Sequence, residues 1–173
     1  MTKKEFEELA SSGVILVDGA TGSNFRKAGM PVGVSTELWA MEHPDVVRTL
    51  QNGYIEAGSQ IIYAPTFSAN RIGLEMHGLT DRLEEINTEI VKLSKNIAAG
   101  RAYVAGDMTT TGRMLEPAGD ISYEELLEIY KEQASVLVNA GVDLIVAETM
   151  LSVDETTVLL DAVQSVCDLP VIC

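Results

Sequence analysis

The sequence predicts an α/β protein built on a parallel sheet. Short apolar runs rich in β-branched residues alternate with amphipathic stretches along the whole chain. The stretches between runs are long enough for the crossover connections that parallel strands require. Four runs lead into polar residues, Asp18, Thr66, Asp107 and Glu148. In a parallel α/β fold such tips share one face, and ligands bind there.

The elements follow in order. Lys3–Ser11 carries Phe6, Leu9 and Ala10 at helical spacing, and Gly13 ends it. Val14-Ile15-Leu16-Val17 is four apolar residues, three of them β-branched, the pattern of a strand buried on both faces. Asp18 closes it, and Gly19 and Gly22 let the chain turn sharply and approach a ligand. Two readings of Asp18 stand: a cap on a strand-to-helix turn, or a strand-tip carboxylate suited to an ammonium group. Asn24–Ala28 fits one helical turn, and Met30–Ser35 is a loop. Trp39 and Glu37 fall in this long first connection and are placed over the mouth of the site. Pro44 opens a helix to about Ala57, with Val46, Val47, Leu50, Tyr54 and Ile55 on its apolar face and Gly58 as its stop.

The same unit then recurs. Gln60–Ala64 is a strand with Pro65–Asn70 as its outgoing loop, and Leu83–Ala99 is a long amphipathic helix stopped by Gly100. Ala102–Gly106 is a strand leading to Asp107-Met108-Thr109-Thr110-Thr111-Gly112, a run that supplies hydroxyl and N–H donors or is a plain loop. Ser122–Asn139 is a helix with Ser122 and Glu125 at capping-box spacing, and Gly141 ends it. Asp143–Ala147 is a strand tipped by Glu148-Thr149-Met150. Asp154–Val166 is a helix, and Leu169–Cys173 starts a fifth strand.

Repeated βα units fit either a (β/α)8 barrel or a doubly wound sheet. The Gly-x-Gly-x-x-Gly dinucleotide pattern does not follow the first strand, and the phosphate-loop lysine motif is missing, which favours the barrel. A barrel takes about 250 residues, so 173 residues correspond to its first five β/α units, an incomplete barrel in one domain over 1–173.

Composition narrows the function classes. With 12 Lys+Arg against 26 Asp+Glu the net charge is −14, which repels nucleic acid and anionic membranes. The expectation is no nucleic-acid partner, no membrane, and a cytoplasmic location. The first residues are polar and lack the apolar core of a signal peptide. Cys167 and Cys173 are the only cysteines; both read as buried small apolar residues rather than ligands, and the pair fits a reducing compartment. His43 and His77 lack a metal-like partner at helical spacing and read as surface or capping residues. Lys92, Lys95 and Lys131 fall in helices, which disfavours a Schiff-base aldolase.

Six segments then stand in register: Val17-Asp18-Gly19-Ala20-Thr21-Gly22, Glu42-His43-Pro44-Asp45-Val46-Val47, Tyr54-Ile55-Glu56-Ala57-Gly58-Ser59, Thr66-Phe67-Ser68-Ala69-Asn70, Gly106-Asp107 and Ala147-Glu148-Thr149-Met150. Together they resemble the homocysteine S-methyltransferase family, which includes the homocysteine-binding module of cobalamin-dependent methionine synthase and the betaine–homocysteine methyltransferases. The resemblance runs from Gly13 to Cys173. It implies a TIM-type (β/α)8 barrel binding homocysteine and zinc at the strand C-termini, in a step of methionine biosynthesis. Zinc would hold the homocysteine sulfur as thiolate for methyl transfer, since a metal lowers a thiol pKa and the thiolate is the nucleophile. By similarity, Asp18 and Glu148 hold the amino group, and the backbone of Gly19, Ala20, Thr21 and Gly22 approaches the carboxylate. Thr66, Phe67 and Asp107 line the pocket or the donor side.

The family's zinc ligands are three cysteines, one after the sixth strand and two in a Gly-Gly-Cys-Cys-Gly motif after the eighth. No such cysteine stands in this sequence, so no metal ligand and no catalytic residue is assigned, and this chain alone is expected to be inactive. Pro65 also stands where methionine synthases carry a polar residue. The partners implied are homocysteine and a methyl donor, either a betaine, S-methylmethionine, or methylcobalamin with a corrinoid or folate module. An open sheet edge further implies self-association or the remainder of a longer chain. The alternative reading is a non-catalytic fragment or binding module that lacks the zinc site.

Overall fold

A computed structural model describes residues 1–173. Four parallel strands form one sheet: β1 (Ile61–Ala64), β2 (Tyr103–Met108), β3 (Leu144–Ala147) and β4 (Val171–Ile172). Their spatial order is their chain order, without the reversal that marks a doubly wound sheet. Ile62 pairs with Val104, Gly106 with Ile145 and Val146 with Ile172, so the C-terminal tips are level.

Strand side chains alternate between two faces. Ile62, Ala64, Val104, Met108, Ile145 and Ala147 share the main core with helices α6 (Leu83–Ala98), α7 (Tyr123–Ala140) and α8 (Val153–Val166). Each fully buried Ile, Leu or Val contributes about 1.5–3 kcal/mol, so this layer dominates the stability. Ile61, Ala105, Leu144 and Val146 occupy the opposite face with Tyr63, Ile172, Ile15, and Phe6 of α1 (Lys3–Ser11). A Cβ on Gly106 would lie 3.0 Å from Leu137 Cδ1, so the glycine lets α7 settle close against β2.

Helix ends follow their sequence signals. Ser122 accepts the Glu125 N–H at 3.2 Å at the start of α7, and Gly141, at φ +96°, closes it in the left-handed region. Pro44 begins α4 (Pro44–Glu56). Thr2 and Glu5 form a reciprocal capping box on α1.

Four expectations need correction. Val14–Val17 is not a strand buried on both faces. Val17 makes a single bridge to Ile61, and the Leu16 carbonyl accepts from Gln60 and Ile61 N–H. Val14 is 85% and Leu16 51% exposed. The stretch lies outside β1 with a neighbour on one side only, and Ile15 alone among its first three residues joins a core cluster. Second, β2 runs two residues further than expected, so Asp107 lies inside a strand. Third, Thr36–Glu42 is a helix, α3, and Trp39 does not cover the mouth. Trp39 is buried with Phe25 (5.2 Å between ring centroids), stacks on His43 (4.1 Å), and sits in a second core with Met30 and Val47. Fourth, Cys173 is exposed and Cys167 half-buried. Each follows from tertiary neighbours that a local pattern does not encode. No helix is long and apolar enough to cross a membrane.

Candidate functional site

The strand tips open into a cavity of about 790 Å³. Asp18 reaches it from the sheet edge. Its Oδ2 accepts the Tyr63 backbone N–H at 2.9 Å, which fastens the turn to β1. It does not cap a helix: α2 (Gly22–Lys27) follows Thr21 as its N-cap residue, with no side-chain cap. Burial raises the Asp18 pKa to about 7, outweighing that hydrogen bond, and the Glu148 charge adds to the rise.

The turn Gly19–Gly22 is shaped by Tyr54 of α4. The Tyr54 hydroxyl donates to the Ala20 carbonyl at 2.9 Å, and Asn24 Nδ2 donates to the same oxygen at 2.6 Å. A Cβ on Gly19 would stand 3.1 Å from the Tyr54 ring. A side chain there would need the Tyr54 ring to give way by a few tenths of an ångström.

Asp107 enters from β2 and is 5% exposed. Its Oδ1 has no hydrogen-bond partner. Burial first, and the Glu148 charge second, push its carboxyl well above the usual range and favour the protonated form. Thr66 lies beneath it, fully buried. The Thr66 hydroxyl donates to the Asp107 carbonyl at 2.9 Å and accepts from its N–H at 3.1 Å.

Glu148 directly follows β3. Its N–H donates to Met108 O, and its carbonyl accepts from the Thr109 hydroxyl, both at 2.8 Å. Thr149 follows at φ +55°. A β-branched residue in the left-handed region is a backbone outlier of the kind that clusters at functional sites. Tyr63 also lines the cavity; burial, then the charges of Asp18, Asp107 and Glu148, push its phenol up to about 12, so it stays protonated. Glu37, buried on α3, accepts from Ser68 N–H at 2.9 Å and from the Ser35 hydroxyl at 2.8 Å.

Buried amides hold the loop after β1. Gln133 Nε2 donates to Thr66 O, Asn87 Nδ2 donates to Ala69 O, and Asn70 Oδ1 accepts the Gly73 N–H. The structure thus brings Asp18, Gly19, Ala20, Thr21, Gly22, Phe67, Asp107 and Glu148 to one cavity. Thr66 stands behind the wall rather than in it. Sequence reasoning missed Tyr63 and Ser68. Tyr63 had a signal: it alternates with Ile62 along a strand, so it faces the side opposite the helices. Ser68 had none beyond its place in the loop.

Four carboxyl groups, from Asp18, Glu37, Asp107 and Glu148, line the cavity, and no Lys, Arg or His does. Such a lining selects a positively charged group. It does not fit the zinc that the resemblance implies. No three His, Cys, Asp or Glu side chains are grouped to hold a metal, and neither cysteine lines the cavity. Zinc takes Cys, His or carboxylate ligands, usually in a tetrahedral array, and the carboxyl groups here are not grouped to form one.

A family profile described as homocysteine S-methyltransferase matches residues 15–173. Betaine–homocysteine S-methyltransferase 1 from Danio rerio is 32% identical over 153 residues, covering 86% of this chain and 38% of that protein. The Bos taurus protein of the same name is 28% identical over 165 residues, covering 92% and 40%. The chain spans about two fifths of the length of these curated relatives. The crystal structure of the homocysteine methyltransferase MmuM from Escherichia coli, oxidised form, superposes with a TM-score of 0.77 at 19% identity, covering 91% of this chain and 60% of that one. Its metallated form gives 0.76 at 19% identity, covering 95% and 64%. At that identity the likeness speaks to the fold.

Proposed function

The chain belongs to the homocysteine S-methyltransferase family, and on that premise we propose that its acidic cavity is the homocysteine site of a methyltransferase that transfers a methyl group to the homocysteine sulfur and yields methionine. One observation carries the reading: Asp18 and Glu148, the two carboxylates singled out for the substrate ammonium, line the same base-free cavity. In this reading the ammonium sits between them. The uncrowded Gly19–Gly22 backbone takes the substrate carboxylate, away from the acidic wall. Asp107 in its protonated form lowers the repulsion among the carboxyl groups until the ammonium arrives. The same charge balance favours a cationic methyl donor such as a betaine over methylcobalamin, and the names of the relatives support a betaine.

Residues 1–173 act here as one domain, the first β/α units of a (β/α)8 barrel. They supply the amino-acid subsite. The zinc-assisted activation of sulfur that the family implies would need ligands that these residues do not group together, and on this reading the chain by itself binds homocysteine without turning it over. The alternative, a binding module without the zinc site, shares the ammonium subsite and differs in turnover.

Calorimetric titration with L-homocysteine, with and without added zinc, tests the reading. Binding is expected without zinc, and E148Q should weaken it by about tenfold or more, the loss of a charge-assisted contact. Affinity should also rise with pH across the Asp18 pKa of about 7, because the ionised carboxylate is the form that holds an ammonium. No binding by the folded chain, or equal binding by E148Q, would overturn the assignment.

A further inference from the structure

Glu155 is 3% exposed and lies in the first turn of α8. Ser152 caps that helix and Glu155 stands three residues on, so the sequence has capping-box spacing. The carboxylate does not turn back to the cap. It reaches across to the loop that leaves β2 and is satisfied by neutral donors. Oε1 accepts from Thr111 N–H (2.8 Å), the Thr111 hydroxyl (2.7 Å) and the Tyr130 hydroxyl (2.8 Å), and Oε2 accepts from the Thr110 hydroxyl (2.6 Å). A buried carboxylate persists only when such bonds replace its hydration.

The loop it holds is the one that grips Glu148. Thr109, 3% exposed, precedes the two threonines and donates its hydroxyl to the Glu148 carbonyl at 2.8 Å. Glu148 leads into Thr149, left-handed at φ +55° and lining the cavity. A conformation that threonine disfavours holds only where its surroundings over-determine it. The contacts run unbroken from Glu155 through Thr110 and Thr111 to Thr109, and from there to the strained turn.

We propose that Glu155 is a positioning residue: through the Thr109–Thr111 loop it fixes the Glu148–Thr149 turn and so places the Glu148 carboxylate in the cavity. The inference rests on the reading of Glu148 as an ammonium ligand for its functional consequence, and on geometry alone for its structural one. Glu155 touches no substrate.

The test compares E155Q, T109V, their double variant and the control S152A in the full chain. Three quantities are read: the backbone amide resonance of Thr149, L-homocysteine affinity by calorimetry, and the melting temperature. E155Q and T109V should each move the Thr149 resonance and weaken homocysteine by roughly tenfold, and the double variant should be no weaker than either single one, because both act along one path. S152A should lower the melting temperature and leave the affinity unchanged. E155Q behaving like S152A, or the two losses simply adding, would overturn the proposal. If the parent chain binds no homocysteine, the ammonium reading fails by itself. The Thr149 resonance then decides: moved in E155Q, the positioning role holds; unmoved, it falls. If E155Q does not fold, T111V, which removes one donor from Glu155, is read by the same criteria.

Discussion

The Asp18 turn and the Glu148 turn deliver carboxylates to the same cavity from supports of very different strength. Glu148 directly follows β3, whose residues are buried between β2, β4 and the helices. Asp18 ends a stretch whose only strand pairing is one bridge to β1 and which shows Val14 and Leu16 to solvent. Glu148 is held by its N–H on Met108 O at the end of β2 and by the Thr109 hydroxyl, which donates to its carbonyl. Asp18 relies on its own side chain, bonded to Tyr63 N–H, and on Tyr54 and Asn24 clasping Ala20. The tip of a central strand is held through its backbone, with neighbours on both sides, whereas at the edge the carboxylate side chain itself makes the pinning contact. The group at the weaker support is thereby coupled to pH, because a buried carboxylate serves as its anchor.

The largest test of this contrast is a pair of truncations read by urea denaturation. Leu144→Ala in β3 should cost about 2–5 kcal/mol, as large-to-small core changes do. Leu16→Ala should stay within about 0.5 kcal/mol, as at exposed positions. If Leu16→Ala costs as much as Leu144→Ala, the edge is covered in solution, and scattering on the same samples would then report association.

A second test sharpens the anchor. The Asp18 pKa is about 7 in the folded chain against an ordinary value of 3.8. The folded state therefore keeps a proton that the unfolded state releases. That stabilising contribution is complete below about pH 4, is lost as pH rises through about 7, and is constant above it. Asp18→Asn removes the group, so its melting temperature should fall less than that of the parent between about pH 4 and 7. Asp107, also raised, keeps part of the slope in both. Parallel curves would show that Asp18 titrates normally and that the turn is open to water.

The smallest expected effect is at the clasp. Tyr54→Phe deletes the hydroxyl on Ala20 O and leaves the ring against Gly19, so it should cost about 1 kcal/mol of stability. Homocysteine affinity should drop a few-fold, since Asn24 still holds Ala20. An unchanged melting curve would show that Asn24 suffices.

The sequence by itself determined the α/β class, the order of the four sheet strands and the long helices, most of their boundaries, and the carboxylates that follow apolar runs. These are local signals: hydrophobic period, glycine and proline stops, caps, and an acid after an apolar run. Pro44 and Gly141 bound their helices as expected. Asp18 and Glu148, the pair proposed for the ammonium, stood out in the sequence because each directly follows an apolar run within a family motif, and both line the cavity. Tertiary structure alone decided which apolar run became a central strand and which an edge, since Val14–Val17 and Leu144–Ala147 look alike until their neighbours are known. It also turned Thr66 from a wall into a strut, put Trp39 in a core, and sent Glu155 away from its cap to the threonine loop. Each of these depends on contacts between residues far apart in the chain, and a local pattern carries no record of which distant side chain will fill the space beside it.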